Sequence, residues 1–118
     1  MSTLKVNTIQ DTSGNTQYMA KVWGNINFTG TPSIRASGNL SSITDHGTGD
    51  FTLNFSSSLP DANYTFAFGA DDGGYADNAA YHSKGVTWSA SSLRIITAFA
   101  WHTNGRTDFE IGTFVIFR

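Results

Sequence analysis

The stretch "SITDHGTGDFTLNFSSSLPDANYTFAF", residues 42–68, decides the fold class of this chain. In residues 50–55 apolar and polar side chains alternate, which is the pattern of a half-buried β-strand. Residues 40–44 form a second strand, and the glycine-containing segment 45–49 joins the two as a hairpin. The inward side chains of residues 50–55 are predicted to be Phe51, Leu53 and Phe55.

A second turn leads directly into a third strand. Pro60-Asp61 suits the first positions of a type I turn, and after it Tyr64, Phe66 and Phe68 alternate with smaller residues. The same alternation begins near Gln17, where one predicted face consists of Ala20, Val22, Ile26 and Phe28.

The rest of the chain continues in short segments. Residues 69–85 lack any period and are predicted to form a long loop, and Asn104-Gly105 is a strong hairpin signal before the last strand. We therefore predict an all-β, antiparallel β-sandwich of about eight short strands over residues 17–118, with a jelly roll as one candidate arrangement. Residues 1–16 are predicted to form an extended N-terminal arm.

Composition narrows the function classes. Only 14% of the 118 residues are charged, against roughly 25% in an average protein. The net charge is −2 and no block of Lys or Arg occurs, so nucleic-acid binding is not expected. No run of eighteen apolar residues occurs, and we expect no membrane insertion and no secretory signal.

Few residues suggest chemistry. The chain has no cysteine, which excludes disulfides and thiolate sites, and His46, His82 and His102 lack metal-ligand spacing. No G-x-S-x-G motif occurs. Paired carboxylates for glycoside hydrolysis remain an open alternative, since five acidic residues could converge in the fold: Asp71, Asp72, Asp77, Asp108 and Glu110. We expect no enzyme activity and no cofactor or metal.

The loop 69–85 is the predicted recognition site. Long connections inside compact domains are usually functional or mobile, and exposed aromatics beside polar groups bind sugars or protein partners. Its acidic part offers oxygen ligands that suit Ca²⁺, but its spacing is not that of an EF-hand. The predicted recognition residues are Asp71, Asp72, Tyr75, Asp77, Asn78, Tyr81 and His82.

Two strands of the C-terminal part, residues 92–101 and 108–117, are apolar on both faces. A half-buried strand should be apolar on one face only, so we predict that a second chain covers the other face. The long loop 69–85 folding over it is the alternative. The predicted interface residues, which include the apolar residues of the arm, are Leu4, Val6, Ile9, Ile96, Ala98, Phe114 and Ile116.

Two further stretches carry a resemblance. "LKVNTIQDTSGN" (residues 4–15) and "INFTGTPSIRASGNLSSITDHGTGDFTLNFSSSLPDANYTF" (residues 26–66) resemble a domain of tail-fibre-like structural proteins of tailed phages, especially those that infect marine bacteria. The resemblance covers about Leu4 to Ala70. It is most specific at "SSITDHGTGDFTLNF" and "LPDANY", although His46 stands where the family usually carries Asn.

This resemblance implies a non-enzymatic virion protein of tail-fibre type, assembled in the host cytoplasm as a homotrimer with other virion proteins. The loops would add recognition of a host-surface glycan. Two alternatives stay open: a head or tail decoration protein, and a free carbohydrate-binding module.

Overall fold

The structure, a computed structural model, describes residues 2–71, 81–99 and 105–118, with only the backbone for Tyr81 and His82. Within these ranges the chain forms ten strands and no helix, so no helix there is long and apolar enough to cross a membrane. The strands are β1 Ile9–Gln10, β2 Thr16–Gln17, β3 Val22–Asn27, β4 Ser33–Gly38, β5 Leu40–Gly47, β6 Asp50–Phe55, β7 Thr65–Asp71, β8 Tyr81–Trp88, β9 Ser92–Phe99 and β10 Ile111–Phe117.

Eight of the strands form two four-stranded antiparallel sheets, with the orders β4-β3-β10-β7 and β5-β6-β9-β8. The predicted all-β antiparallel sandwich is confirmed. The pairs β6–β9 and β7–β10 each join strands that are separated by two others in the chain, as in a Greek key. In a jelly roll these eight strands would form the nested pairs β3–β10, β4–β9, β5–β8 and β6–β7. Among the described strands only the outer pair, β3–β10, is formed.

The core lies between the two sheets. It is built by the alternating apolar positions, because every second side chain of each strand points to the same face. The rings of Phe28, which follows β3, and Phe51 of β6 stand 4.5 Å apart at their centroids. The buried core cluster consists of Val22, Ile26, Phe28, Leu40, Phe51, Leu53, Phe55, Leu59, Tyr64, Leu93, Ile95, Phe114 and Ile116.

The hairpin β5–β6 is confirmed with the predicted inward residues. Its first strand extends to Gly47, so the turn tightens to Thr48-Gly49. Gly49 has φ +62°, and a Cβ there would lie 2.7 Å from the backbone nitrogen of Thr107. This position therefore needs glycine both for its left-handed backbone and for the close approach of a neighbouring segment.

The predicted loop 69–85 is wrong at both ends. β7 continues to Asp71 and β8 begins at Tyr81, because β8 pairs with β9 over its whole length, from Tyr81 opposite Phe99 to Trp88 opposite Leu93. Backbone pairing thus overrides the weak local pattern. Residues 72–80 lie outside the described part of the chain.

The last two strands do not form the expected hairpin, because β9 and β10 belong to different sheets. After β9 the chain returns along that strand: Phe99 N–H donates to the carbonyl of Gly105 at 3.1 Å, and Thr107 N–H donates to that of Thr97 at 3.0 Å. It then crosses to the other sheet. Residues 100–104, which include Asn104, lie outside the described part of the chain.

The N-terminal residues 2–20 are exposed throughout. β1 and β2 form a small hairpin around Asp11, whose carboxylate accepts hydrogen bonds from the backbone N–H groups of Ser13 and Asn15 at 2.9 and 3.0 Å. Gly14 completes the turn with φ +84°. Local hydrogen bonds therefore order the arm, and its apolar side chains stay in solvent.

Candidate functional site

The predicted recognition residues fall around the connection between β7 and β8. Asp71 ends β7 and is exposed, and the backbone of Tyr81 and His82 begins β8. β7 and β8 are edge strands of different sheets, so the connection joins the two sheets at one end of the sandwich. The other predicted residues lie outside the described ranges: Asp72, Tyr75, Asp77 and Asn78.

Three of the predicted interface residues do not lie on the molecular surface. Phe114 and Ile116 are buried in the core between the sheets, and the outward side chains of β10 are those at odd positions. The assignment of faces was wrong because both faces of the strand are apolar. Ala98 is buried on the outer face of its own sheet, where it pairs with Arg106 of the returning segment. Arg106 therefore pairs with β9 beyond the end of β6, and Ala98 is not exposed to a second chain.

The arm contributes the exposed part of the predicted interface. Leu4 is 85% exposed, and Val6 and Ile9 are about half exposed. Between the arm hairpin and the end of the sandwich lies an open groove of about 580 Å³. Its apolar lining comes from the arm and from the last strand: Val6, Ile9, Tyr18, Met19 and Phe117. The arm and the sandwich together thus present an apolar surface.

A second apolar surface is the outer face of the sheet β4-β3-β10-β7. Trp23 of β3 points outward and is 43% exposed. Its indole lies over Gly38 of β4, where a Cβ would come 2.7 Å from the Trp23 Cδ1 atom. Val115 of β10 stands opposite Trp23 in the pairing of β3 with β10. A shallow depression of about 250 Å³ lies next to Val115 and is also lined by Ala67, Gly69 and Thr113.

Hydrogen-bonding groups surround this tryptophan. Asn25 follows it on the same face of β3, and Thr113 of β10 stands opposite Asn25. Arg35 of β4 donates from Nη1 to the carbonyl of Glu110 at 2.8 Å and reaches Asn25 Oδ1 at 3.5 Å. A half-exposed indole with amide, hydroxyl and guanidinium groups beside it offers the contacts that sugar rings use.

The outer face of the other sheet, β5-β6-β9-β8, is polar. On it Asn54 Nδ2 donates to the hydroxyls of Ser42 and Thr44 at 3.2 and 2.9 Å, and His46 Nε2 lies 2.8 Å from Thr52 Oγ1. These bonds run between the adjacent strands β5 and β6. We call the set Ser42, Thr44, Thr52 and Asn54 the hydroxyl–amide ladder.

A cluster of charges continues this face on β6 and β9. The buried carboxylate of Asp50 accepts two hydrogen bonds from Arg94, Nε to Oδ1 at 2.9 Å and Nη2 to Oδ2 at 2.8 Å. Arg106 Nη1 approaches Oδ2 at 3.3 Å. The hydrogen bonds from Arg94 hold the pKa of Asp50 below its ordinary value, against the opposing effect of burial.

One further carboxylate is strongly paired. Asp61, in the turn after β6, binds Arg118 with two hydrogen bonds of 2.9 and 2.8 Å. This pairing, with the N–H of Asn63, lowers the pKa of Asp61 well below its usual range. The pair links the predicted Pro60-Asp61 turn to the C-terminus.

The described residues contain no group of three His, Asp or Glu side chains placed to hold a metal ion. Asp108 accepts a hydrogen bond from Gly49 N–H at 2.8 Å, and Asp71 stands at the far end of β7. The sequence missed the partnership of Asp50 with two arginines, since the three residues are spread over 56 positions and only the sheet register brings them together.

Comparison with protein-family models, with curated proteins and with solved structures finds no match for this chain.

Proposed function

We propose that this chain is a non-enzymatic structural protein of a tailed-phage virion, of tail-fibre type. The observation that carries the proposal is the exposed apolar arm beside a folded sandwich. Leu4, Val6 and Met19 are half or more exposed within residues 4–19, and Val6 and Met19 line the groove beside the sandwich. Contiguous exposed apolar surface of this kind marks a site of association with another chain, as a protein that assembles into a particle requires.

The resemblance to tail-fibre-like proteins supports the same proposal through the residues it covers. The stretch 41–55 forms most of the hairpin β5–β6 and supplies three core residues. In the stretch 59–64, Leu59 and Tyr64 are buried, and the Tyr64 hydroxyl lies 3.1 Å from the carbonyls of Ser89 and Ser92. The shared residues thus build the scaffold, and recognition would belong to surfaces around it.

Quantitative mass spectrometry of purified phage particles tests this proposal. A tail-fibre protein should be present at a low, fixed copy number that is a multiple of three if the chain is a homotrimer. Immunogold labelling of intact particles should then mark the tail. Labelling of the head at high copy number would indicate a decoration protein, and absence of the chain from washed particles would refute the virion role.

A second candidate function is that of a free carbohydrate-binding module, and the exposed Trp23 favours it. A glycan array probed with the purified chain tests this function. Binding that disappears in Trp23→Ala, with an unchanged far-ultraviolet circular dichroism spectrum, would support it. Equal binding by the wild type and this variant would exclude the Trp23 surface.

A further inference from the structure

We propose that Lys84, Arg94 and Arg106, on the outer face of the sheet β5-β6-β9-β8, form a binding site for acidic glycans, in which they contact the carboxylate or phosphate groups of the sugar chain. Lys84 belongs to the predicted recognition loop 69–85, but the site is built around β9 and lies on the other sheet from Trp23. It is a property of the isolated chain and does not depend on a place in a virion.

The sheet register brings the three cations together. Lys84 of β8 stands opposite Ile96 of β9, and Ile96 stands opposite Asp50 of β6. Arg94 lies two residues before Ile96 on the same face, and Arg106 pairs with Ala98, two residues after it. The half-buried Ile96 is therefore surrounded by three of the seven Lys and Arg residues of the chain.

The charges in this cluster do not cancel. Asp50 is the carboxylate in direct contact, and Asp108 is held nearby by Gly49 N–H. Among the described residues of this cluster, three positive and two negative charges leave +1, in a chain whose net charge is −2. Arg94 already binds both oxygens of Asp50. Arg106 therefore adds a second positive charge to a carboxylate that is already paired.

The arginines are held in place and still offer donors. The carboxylate of Asp50 is buried, which fixes Arg94 through two hydrogen bonds, yet the side chains of Arg94 and Arg106 are 40% and 54% exposed. A guanidinium has five N–H donors in a fixed plane. Arg94 uses its Nε and Nη2 atoms toward Asp50 and Arg106 uses Nη1, so the remaining donors can bind an oxyanion, the geometry in which Arg is strongest.

The neighbouring residues favour a glycan as the carrier of the anion. Thr52 of the hydroxyl–amide ladder stands opposite Arg94, and Thr44 stands opposite Thr52. This row extends about 10 Å over three strands, comparable with the length of a disaccharide, and its hydroxyls match those of sugars. The side chains described on this face of β5, β6 and β9 include no Phe, Tyr or Trp on which nucleic-acid bases could stack.

Isothermal titration calorimetry with the purified 118-residue chain tests the site. The probes are hexagalacturonate for carboxylates, a phosphorylated pentamannose for phosphates, neutral cellohexaose, and a single-stranded DNA oligomer. We expect the acidic oligosaccharides to bind more tightly than cellohexaose and DNA. Arg106→Gln and Lys84→Gln, both at exposed side chains, should each weaken that binding about tenfold, the effect expected for loss of one charge-assisted contact.

Lys5→Gln is the matched control, because it removes one positive charge from the exposed arm, and it should leave the affinity unchanged. The relative affinities for the two acidic probes identify which oxyanion the site prefers. The proposal is overturned if neither acidic probe binds, if cellohexaose or DNA binds as tightly, or if the double variant Lys84→Gln/Arg106→Gln retains wild-type affinity.

Discussion

Replacing Gly112 with alanine should destabilise the sandwich, whereas the same change at Gly38 should not. A Cβ at residue 112 would lie 2.5 Å from Cδ2 of Phe28, and a Cβ at residue 38 would lie 2.7 Å from Cδ1 of Trp23. The two contacts are similarly close. They differ in the freedom of the aromatic ring, since Phe28 is fully buried and Trp23 is 43% exposed.

The magnitude follows from this difference. Phe28 packs 4.5 Å from Phe51 and 6.3 Å from Phe68 between ring centroids, so its ring has no space to rotate away. Overpacking a core by one methyl group costs about 1–3 kcal/mol, and replacing Gly with Ala in a compatible backbone returns about 0.4–1 kcal/mol. We expect Gly112→Ala to lower the free energy of unfolding by about 1–2 kcal/mol. In Gly38→Ala the indole can swing into solvent, and stability should change by less than about 0.5 kcal/mol.

Urea denaturation followed by far-ultraviolet circular dichroism at one protein concentration measures both changes. Tryptophan fluorescence should shift in Gly38→Ala even though its unfolding midpoint does not, because the indole has moved. Adding Phe28→Leu to Gly112→Ala should recover part of the loss, which a double-mutant cycle would measure as coupling between the two residues. Wild-type stability of Gly112→Ala, or an equal loss in both single variants, would refute this account of the core.

Three other predictions concern assembly, recognition and acid stability. Deleting residues 2–13 should leave the sandwich folded by circular dichroism but reduce the oligomer seen by light scattering, because the exposed apolar side chains of the arm are removed. Val115→Asp, on the outer face, should also reduce assembly. Ile116→Asp, in the core, should instead unfold the chain. Asp50→Asn should lower the free energy of unfolding at neutral pH and flatten the decline of that free energy in acid. Because the pKa of Asp50 is depressed in the folded chain, the carboxylate contributes fully to stability above its unfolded pKa of about 3.9. This contribution is lost as the pH falls through the lower folded pKa. The loop prediction is tested by host-cell binding, which should fall when three residues are changed to alanine together: Tyr75, Tyr81 and His82.

Each of these has an outcome that contradicts it. A wild-type chain that is monomeric at micromolar concentration would refute the predicted oligomer, and an arm that stays mobile in the assembled particle would refute its role. An unchanged acid profile in Asp50→Asn would show that other carboxylates set the decline. Full host-cell binding by the triple variant, with its fold intact, would move recognition away from the loop.

The sequence predicted the hairpin β5–β6 well, because β6 is apolar on one face only. In β6, for example, Phe51 and Leu53 alternate with Thr52 and Asn54, and one register buries all the apolar residues. The tight turn at Thr48-Gly49 and the Pro60-Asp61 turn reinforce that register with local signals.

The C-terminal half was less predictable for the same physical reason. In β10 Val115 and Ile116 are both apolar, so alternation could not say which one faces the core. The pairing partner decides it: Ile116 stands opposite Val22 and Phe66, whose side chains also face inward. The charge cluster around Asp50 was equally hidden, since its members are distant in sequence and meet only through the register of β6 and β9.

The two sheets differ most on their outer faces, and this difference links the proposals. One outer face carries Trp23 and Val115. The same sheet also contains Phe117, which lines the groove beside the apolar arm. The other outer face carries the hydroxyl–amide ladder and the arginines held by Asp50. If copies associate through the apolar face and the arm, as closed symmetric oligomers associate through repeated patches, their polar sheets point outward. A trimer would then carry three copies of the acidic-glycan site on its outside. Individually weak sites combine strongly when they are linked in this way, with gains of about 10²–10⁴ where the geometry allows simultaneous contact. Binding of the assembled chain to an acidic polysaccharide surface should therefore be far tighter than binding of single oligosaccharides, and the arm deletion should abolish that difference without changing the affinity of the single site.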